Sequence, residues 1–177
     1  QTIAGTSSTT FNHLIAGGSG TKTLGIATTT NGNLTINSTL DVSASNYGLN
    51  VNGNWINNGT FTQRNGTVTF NGTSPQTIGG TTATNNFYNI TQSNATSVNL
   101  GQHQNLLNTL TISAGIFNNP GYNFALKSTA TNTARIAAIP GGANFTGNII
   151  MERYSGTGPW DWRFLCSAVS GAGVTLA

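Results

Sequence analysis

The chain has 177 residues, of which only 5% are charged, against about 25% in ordinary globular proteins. Its net charge of +3 comes from six scattered basic residues, which form no patch able to neutralise several phosphates, so nucleic acid is excluded as a partner. Thr (30), Asn (25) and Gly (23) dominate the composition, whereas disordered chains are rich in Glu, Lys and Pro. The composition therefore predicts a folded chain.

Short strands are predicted, in chain order, at Phe11–Ile15, Asn33–Ile36, Gly66–Phe70, Phe87–Thr91 and Thr109–Ile112. In each of them apolar residues alternate with Thr or Asn, which is the period-two pattern of a half-buried strand. No stretch combines a helical period with capping residues. The chain is therefore expected to be all-β, with almost no helix.

The sequence also repeats itself at an offset of 75 to 76 residues. QTIAGT at Gln1–Thr6 returns as QTIGGT at Gln76–Thr81, and NLTINSTL at Asn33–Leu40 matches TLTISAGI at Thr109–Ile116. A repetitive region is predicted over residues 1–146, as copies 1–75 and 76–146. A long repeat of short strands favours a parallel β-solenoid, or β-helix, with corner turns between the strands. An antiparallel β-sandwich is the alternative.

The stretch NGNWINNGTFTQRNGTVTFNG, from Asn52 to Gly72, holds four Asn-Gly pairs. Asn and Gly supply left-handed backbone conformations where a coil turns a corner between strands. Asn-Gly is also the strongest hairpin signal, because a type I′ turn needs φ > 0 at both central residues. A corner and a hairpin closing at Asn65-Gly66 are both compatible with the pattern.

The composition changes near Gly147, and we call residues 147–177 the terminal segment. It is predicted to form two strands, Gly147–Tyr154 and Trp162–Ala168, joined by a Gly-Pro turn. One interpretation is an edge or cap, because alternating charges discourage end-to-end association. The other is a carbohydrate-binding patch, because aromatic rings stack on sugar faces. The charged and aromatic residues concerned are Glu152, Arg153, Tyr154, Trp160, Asp161, Trp162 and Arg163.

Catalysis needs titratable groups that converge on one place. Asp41 stands alone in the sequence, and Glu152 and Asp161 each have an arginine close by, so ion pairing accounts for them. His13 and His103 lack metal-ligand spacing. The single Cys166 is expected to be a small buried apolar residue. We therefore expect no enzymatic activity, no catalytic residues, no cofactor and no metal.

Thr-x-Thr triplets at Thr60–Thr62, Thr67–Thr69 and Thr109–Thr111 raise a further hypothesis, an ice-binding solenoid. It requires these threonines to stack in register on one flat face.

The N-terminus leads to a separate expectation. Gln1 aligns with Gln76, in the middle of a repetitive run, so the chain is expected to be a segment of a longer parent protein.

The motifs GNW, NNGTFT, GTVTFNG, QTIGG and FYNI, which run from Gly53 to Ile90, together with NLTI at Asn33–Ile36, resemble a known family. These are the long secreted surface proteins of Bacteroidota, adhesin-like chains exported by the type IX secretion system. MERY and WRFL, between Met151 and Leu165, resemble the segment that commonly ends such repeats, although Cys166 departs from the expected Ser or Thr.

The resemblance implies a non-enzymatic structural or adhesive segment at the extracellular cell surface. Its partners would be the type IX secretion machinery during export and then surface glycans or other cells. Insertion into the membrane is not expected, since no apolar run is long enough.

Overall fold

The computed structural model describes residues 1–156, which form twenty β-strands and no helix. Every ladder between two strands is parallel. As far as residue 80 the chain visits three sheets in turn, and beyond it the described strands belong to the second and third sheets alone. The chain thereby winds into a parallel β-solenoid of about seven coils. The prediction of an all-β solenoid is confirmed, and the antiparallel sandwich is wrong.

The three sheets differ in size. The first has four strands: β1 (Thr2–Ile3), β4 (Thr21–Leu24), β7 (Thr39–Asp41) and β10 (Thr60–Thr62). The second has nine: β2 (Thr9–Phe11), β5 (Thr28–Thr30), β8 (Leu49–Val51), β11 (Thr67–Phe70), β13 (Thr84–Gln92), β15 (His103–Ile112), β17 (Phe124–Leu126), β18 (Arg135–Ile136) and β20 (Ile150–Met151). The third has seven: β3 (Leu14–Ala16), β6 (Leu34–Ile36), β9 (Trp55–Asn57), β12 (Gln76–Gly80), β14 (Ser97–Leu100), β16 (Ile116–Asn118) and β19 (Asn144–Thr146).

Successive coils stack in register. Leu34 pairs with Leu14 of the coil before and with Trp55 of the coil after, so one coil takes about 20 residues. Neighbouring coils are separated by the usual interstrand distance of about 4.7–4.9 Å. Within β6, Leu34 and Ile36 are buried and Thr35 faces outward, as the period-two pattern predicts.

Four of the five repeat-region strands predicted from the sequence overlap β6, β11, β13 and β15, although β13 and β15 are longer than predicted, with nine and ten residues. The strand predicted at Phe11–Ile15 is wrong, because β2 ends at Phe11 and β3 begins at Leu14. The chain turns there from the second sheet to the third. Among the described residues of the terminal segment, 147–156, only Ile150–Met151 is a strand, so the strand predicted at Gly147–Tyr154 is shorter than expected, and it stacks on β17. Trp162–Ala168 lies outside the described residues.

The Asn-Gly pairs lie at corners, and Asn65-Gly66 does not close a hairpin. β10 pairs with β7 of the first sheet, whereas β11 pairs with β8 and β13 of the second. Asn31-Gly32 is a fifth pair, and in none of the five does the glycine have a positive φ, so the expected left-handed corner is wrong at these positions. Glycine is needed there because the coils approach closely. A Cβ on Gly59 would lie 2.1 Å from the carbonyl oxygen of Ser38, and one on Gly72 would lie 2.2 Å from that of Asn52.

Aromatic side chains fill two parts of the solenoid interior. The Trp55 ring lies 4.7 Å from Phe61, 6.3 Å from Phe70 and 5.0 Å from Phe87, measured between ring centroids. A second group further along the axis consists of Phe117, Phe124 and Phe145, whose centroids are 5.4 to 5.8 Å apart. The rings are tilted or edge-on, except that Phe117 and Phe145 are stacked, and all of these are favourable packing arrangements at such distances.

The length of the sequence repeat, 75 to 76 residues, is not a whole number of coils of about 20 residues. Its first copy starts on β1 in the first sheet, whereas its second copy starts on β12 in the third. Likewise Leu34–Ile36 of the third sheet corresponds to Leu110–Ile112 of the second. The matched strands therefore lie one sheet apart around the coil. All three sheets require the same inward and outward alternation, so one sequence pattern serves on any of them.

Candidate functional site

A ladder of polar side chains runs along the outside of the third sheet. The amide N–H of Asn33 donates to His13 Nδ1, that of Asn54 to Asn33 Oδ1, and that of Thr77 to Asn54 Oδ1, at 2.8 to 2.9 Å. Further on, Asn118 Nδ2 donates to Asn99 Oδ1 at 3.0 Å. Each side chain is thus tied to the next coil. The full third-sheet ladder is His13, Asn33, Asn54, Thr77, Asn99, Asn118 and Thr146.

The two histidines therefore have a role that sequence spacing did not reveal. His13 and His103 are both exposed, as expected for His13, but both lie where a side chain can reach the following coil. His103 Nδ1 accepts the N–H of Asn123 at 2.9 Å, just as His13 Nδ1 accepts that of Asn33. Both imidazoles act as acceptors that join coils.

The outer face of the second sheet carries a second in-register series. Its strands place six polar residues of successive coils directly opposite one another, and all six are exposed or half-buried. We call them the threonine column: Thr10, Thr29, Asn50, Thr69, Thr91 and Thr111. The adjacent outward column on the same face contains Thr67, Asn89 and Thr109 and then reaches Arg135.

Side-chain hydrogen bonds within the threonine column are few. Asn50 Nδ2 donates to Thr29 Oγ1 at 3.3 Å. Among the described residues, the hydroxyls of Thr10, Thr69, Thr91 and Thr111 take part in no hydrogen bond. These four hydroxyls therefore remain available to solvent or to a ligand, in contrast to the third-sheet ladder.

The first sheet also stacks threonines, but a charge interrupts them. Thr21, Thr39 and Thr60 are in register, and beside them Asp41 lies between Thr23 and Thr62. Asp41 Oδ1 and Oδ2 accept from Arg64 Nε and Nη2 at 2.6 and 2.7 Å, a bidentate ion pair. This hydrogen-bonded guanidinium lowers the pKa of the Asp41 carboxyl below its usual value, although burial opposes the shift.

The described carboxylates are both engaged by cations. Asp41 binds Arg64, and Glu152 binds Lys127 rather than the neighbouring Arg153, so the partner expected from the sequence is wrong. Arg153 instead donates to the Glu152 carbonyl at 3.0 Å. Within residues 1–156 no three His, Cys, Asp or Glu side chains lie close enough to hold a metal ion.

The predicted ligand patch is only partly described. Tyr154 is 46% exposed, and its backbone N–H donates to Ser128 Oγ at 3.0 Å. Trp160 and Trp162 lie outside the described residues, as do Asp161, Arg163 and Cys166. The patch therefore stays a prediction from the sequence.

Buried amides form a feature that the sequence analysis missed. Gln76 and Asn94 are almost fully buried and bonded to each other, with Asn94 Nδ2 3.0 Å from Gln76 Oε1. Asn85 Oδ1 accepts from Asn57 Nδ2 at 2.7 Å and from Trp55 Nε1 at 3.4 Å. These side chains fix the inner geometry of the coils. In the sequence, such a residue can be recognised as an amide at an inward position of a strand, as for Gln76 and Asn85. The abundance of Asn at other positions makes this pattern hard to recognise.

Comparisons with protein-family models, curated proteins and solved structures find no significant match to this chain. The described residues also contain no helix of the length and apolarity needed to cross a membrane.

Proposed function

We propose that this chain is a rigid, non-enzymatic stalk segment of a large secreted bacterial surface protein, exported by type IX secretion, that holds an adhesive element away from the cell. The observation that carries this proposal is the continuous stacking of coils along the third sheet, whose seven strands form one parallel ladder. Each coil contacts its neighbours through parallel ladders on its sides and through the third-sheet ladder at a corner.

Such stacking supports a stalk for a physical reason. In a solenoid each repeat contacts only its neighbours, so length is added by adding coils. The seven strands of the third sheet extend about 30 Å along the axis at roughly 4.8 Å per step. Side-chain bonds from one coil to the next, such as that from Thr77 N–H to Asn54 Oδ1, resist bending and fraying at the corners.

The location and the partners proposed follow from the motif resemblance given above. The stalk lies at the extracellular cell surface, and its partners are the secretion machinery and then surface glycans or other cells. Protease treatment of intact cells, followed by detection with an antibody against residues 1–156, tests the location. Resistance of the protein in intact cells, with cleavage only after lysis, would contradict it.

The stalk role is tested by exchange in the parent protein. In one strain residues 1–156 are replaced by an unrelated β-solenoid of equal length, and in a second strain they are deleted. If the segment acts as a spacer, cells carrying the exchange adhere as the wild type does, and cells carrying the deletion adhere less. Loss of adhesion in the exchange strain, with normal export, would show that this chain contributes its own chemistry.

A further inference from the structure

The outer face of the second sheet differs from the other two in what its polar groups do. On the third sheet His13, Asn33, Asn54, Asn99 and Asn118 of the ladder are hydrogen-bonded to the next coil, and the neighbouring column contains the exposed Ile15. On the first sheet Asp41, which is paired with Arg64, interrupts the row that contains Thr23 and Thr62. The threonine column contains no charged residue over its six coils, and four of its hydroxyls have no partner within the described residues.

These hydroxyls form a rigid periodic array. Those of Thr69, Thr91 and Thr111 lie on successive coils, ~4.7–4.9 Å apart along the axis, whereas Thr10 lies three coils before Thr69, beyond Thr29 and Asn50. The adjacent outward column lies about 6.6–6.8 Å to the side, two residues along each strand. Threonine is stiff at χ1 because it is branched at Cβ, so the hydroxyl and methyl positions are held by the backbone. A surface ordered in advance loses little entropy when it binds an ordered partner.

We propose that the threonine column is an ice-binding surface, a function separate from the stalk role. An uncharged periodic array is complementary to another periodic array, and ice presents one made only of hydrogen-bonding water. Ordered water bridges polar groups almost as well as a direct hydrogen bond does. The column thus provides hydroxyls that anchor lattice water and methyl groups that fit between them.

The chemistry of the face favours ice over the other candidates. Sugar recognition relies on aromatic platforms, and the threonine column contains only Thr and Asn. Phosphates and acidic polymers require basic clusters, whereas the threonine column contains no cation and the neighbouring column reaches a single one, Arg135, at its far end. A crystalline polysaccharide is the other periodic array of hydroxyls, and the experiment separates it from ice.

The test measures how the purified 177-residue chain divides between a slowly growing ice hemisphere and the remaining liquid, together with inhibition of ice recrystallisation. Two adjacent column positions are changed together, Thr69→Lys with Thr91→Lys. Thr69→Val with Thr91→Val is the second variant, because valine keeps the shape of threonine and removes only the hydroxyl. Thr21→Lys, on the exposed face of the first sheet, is the matched control. Circular dichroism confirms that each variant is folded.

We expect the wild type and the control to enter the ice. The lysine pair should lower partition by about tenfold, equivalent to roughly 1.4 kcal/mol. The valine pair should lower it to a lesser degree. Exclusion of the wild type from ice, or equal loss in the control, would overturn the proposal. So would binding to crystalline cellulose or chitin without binding to ice. None of these results bears on adhesion by the exchange strain, so the two proposals fail independently.

Discussion

The buried Gln76 side chain makes four hydrogen bonds that join three parts of the chain. Its Nε2 donates to the carbonyl oxygens of Val51 and Gly53, at 2.8 and 2.5 Å. Its Oε1 accepts from the N–H of Gly72 at 2.9 Å and from Asn94 Nδ2 at 3.0 Å. Gln76 is only 1% exposed, so water cannot replace these bonds. We expect Gln76→Leu, which is close in volume, to destabilise the solenoid strongly.

The loss of stability depends on which of the groups bonded to Gln76 keep another hydrogen-bond partner after the substitution. Asn94 Nδ2 still donates to the Ser74 carbonyl, and the Val51 carbonyl still accepts from Asn71 N–H. The Gly72 N–H loses its bond inside the protein, which costs about 1–3 kcal/mol, and each of the other three lost bonds costs about 0.5–1.5 kcal/mol. We therefore expect the free energy of unfolding to fall by roughly 4 kcal/mol.

Urea unfolding followed by circular dichroism measures this change. With a slope of about 2–3 kcal/mol per molar urea, the midpoint should fall by roughly 1–2 M. Hydrogen exchange should show lost protection at the Gly72 amide. Gln63→Leu is the control, because the half-exposed Gln63 side chain makes no hydrogen bond among the described residues, and its effect should stay within about 0.5 kcal/mol. Equal midpoints for the two variants would refute the reasoning.

Three further expectations concern other parts of the chain. Gly80 has φ +134°, and its added Cβ would lie 2.1 Å from the Asn57 carbonyl oxygen, so Gly80→Ala should cost several kcal/mol in urea unfolding. Gly79→Ala should cost less than ~1 kcal/mol, since its nearest contact is 3.7 Å; equal losses would contradict the close approach. The lowered pKa of Asp41 stabilises the fold above its unfolded-state value near 3.8, and this contribution is lost as the pH falls through the folded-state value. Wild type should therefore lose more stability than Arg64→Gln between pH 5 and pH 2, by thermal unfolding, and parallel curves would count against the ion pair. A glycan array tests the carbohydrate hypothesis, and Trp160→Ala or Trp162→Ala should abolish the binding that the wild type shows. Unchanged binding by both variants would contradict the hypothesis.

The sequence by itself determined the strand content and the class of fold. The alternation of apolar residues with Thr or Asn indicates which side of each strand faces inward, and β6 and β11 follow it residue by residue. The internal repeat and the frequent Asn-Gly pairs favoured a solenoid, and the pairs do lie at corners. These features are local, so each short stretch carries its own signal.

Only the tertiary structure decided which strands are neighbours. The period-two pattern determines which side chains of a strand face inward, but not which strand lies beside it. The neighbouring strands lie about one coil away along the chain, and the lengths of the corners set that separation. The repeat could therefore place matching strands on different sheets. For the same reason the sequence could not show that Asp41 meets Arg64, that Glu152 meets Lys127, or that Gln76 faces inward.

The threonine column shows most clearly that a sequence pattern predicts the face of a residue but not its neighbours. The ice-binding hypothesis required the threonines of all three triplets to share one face. Thr60–Thr62 is β10 of the first sheet, so this part of the expectation is wrong, and only Thr67–Thr69 and Thr109–Thr111 lie on the second sheet. There the register aligns Thr69 and Thr111 with Thr10, Thr29, Asn50 and Thr91, which belong to none of the triplets. A period-two pattern provides the outward threonines, and only the stacking of coils about 4.8 Å apart turns them into one surface.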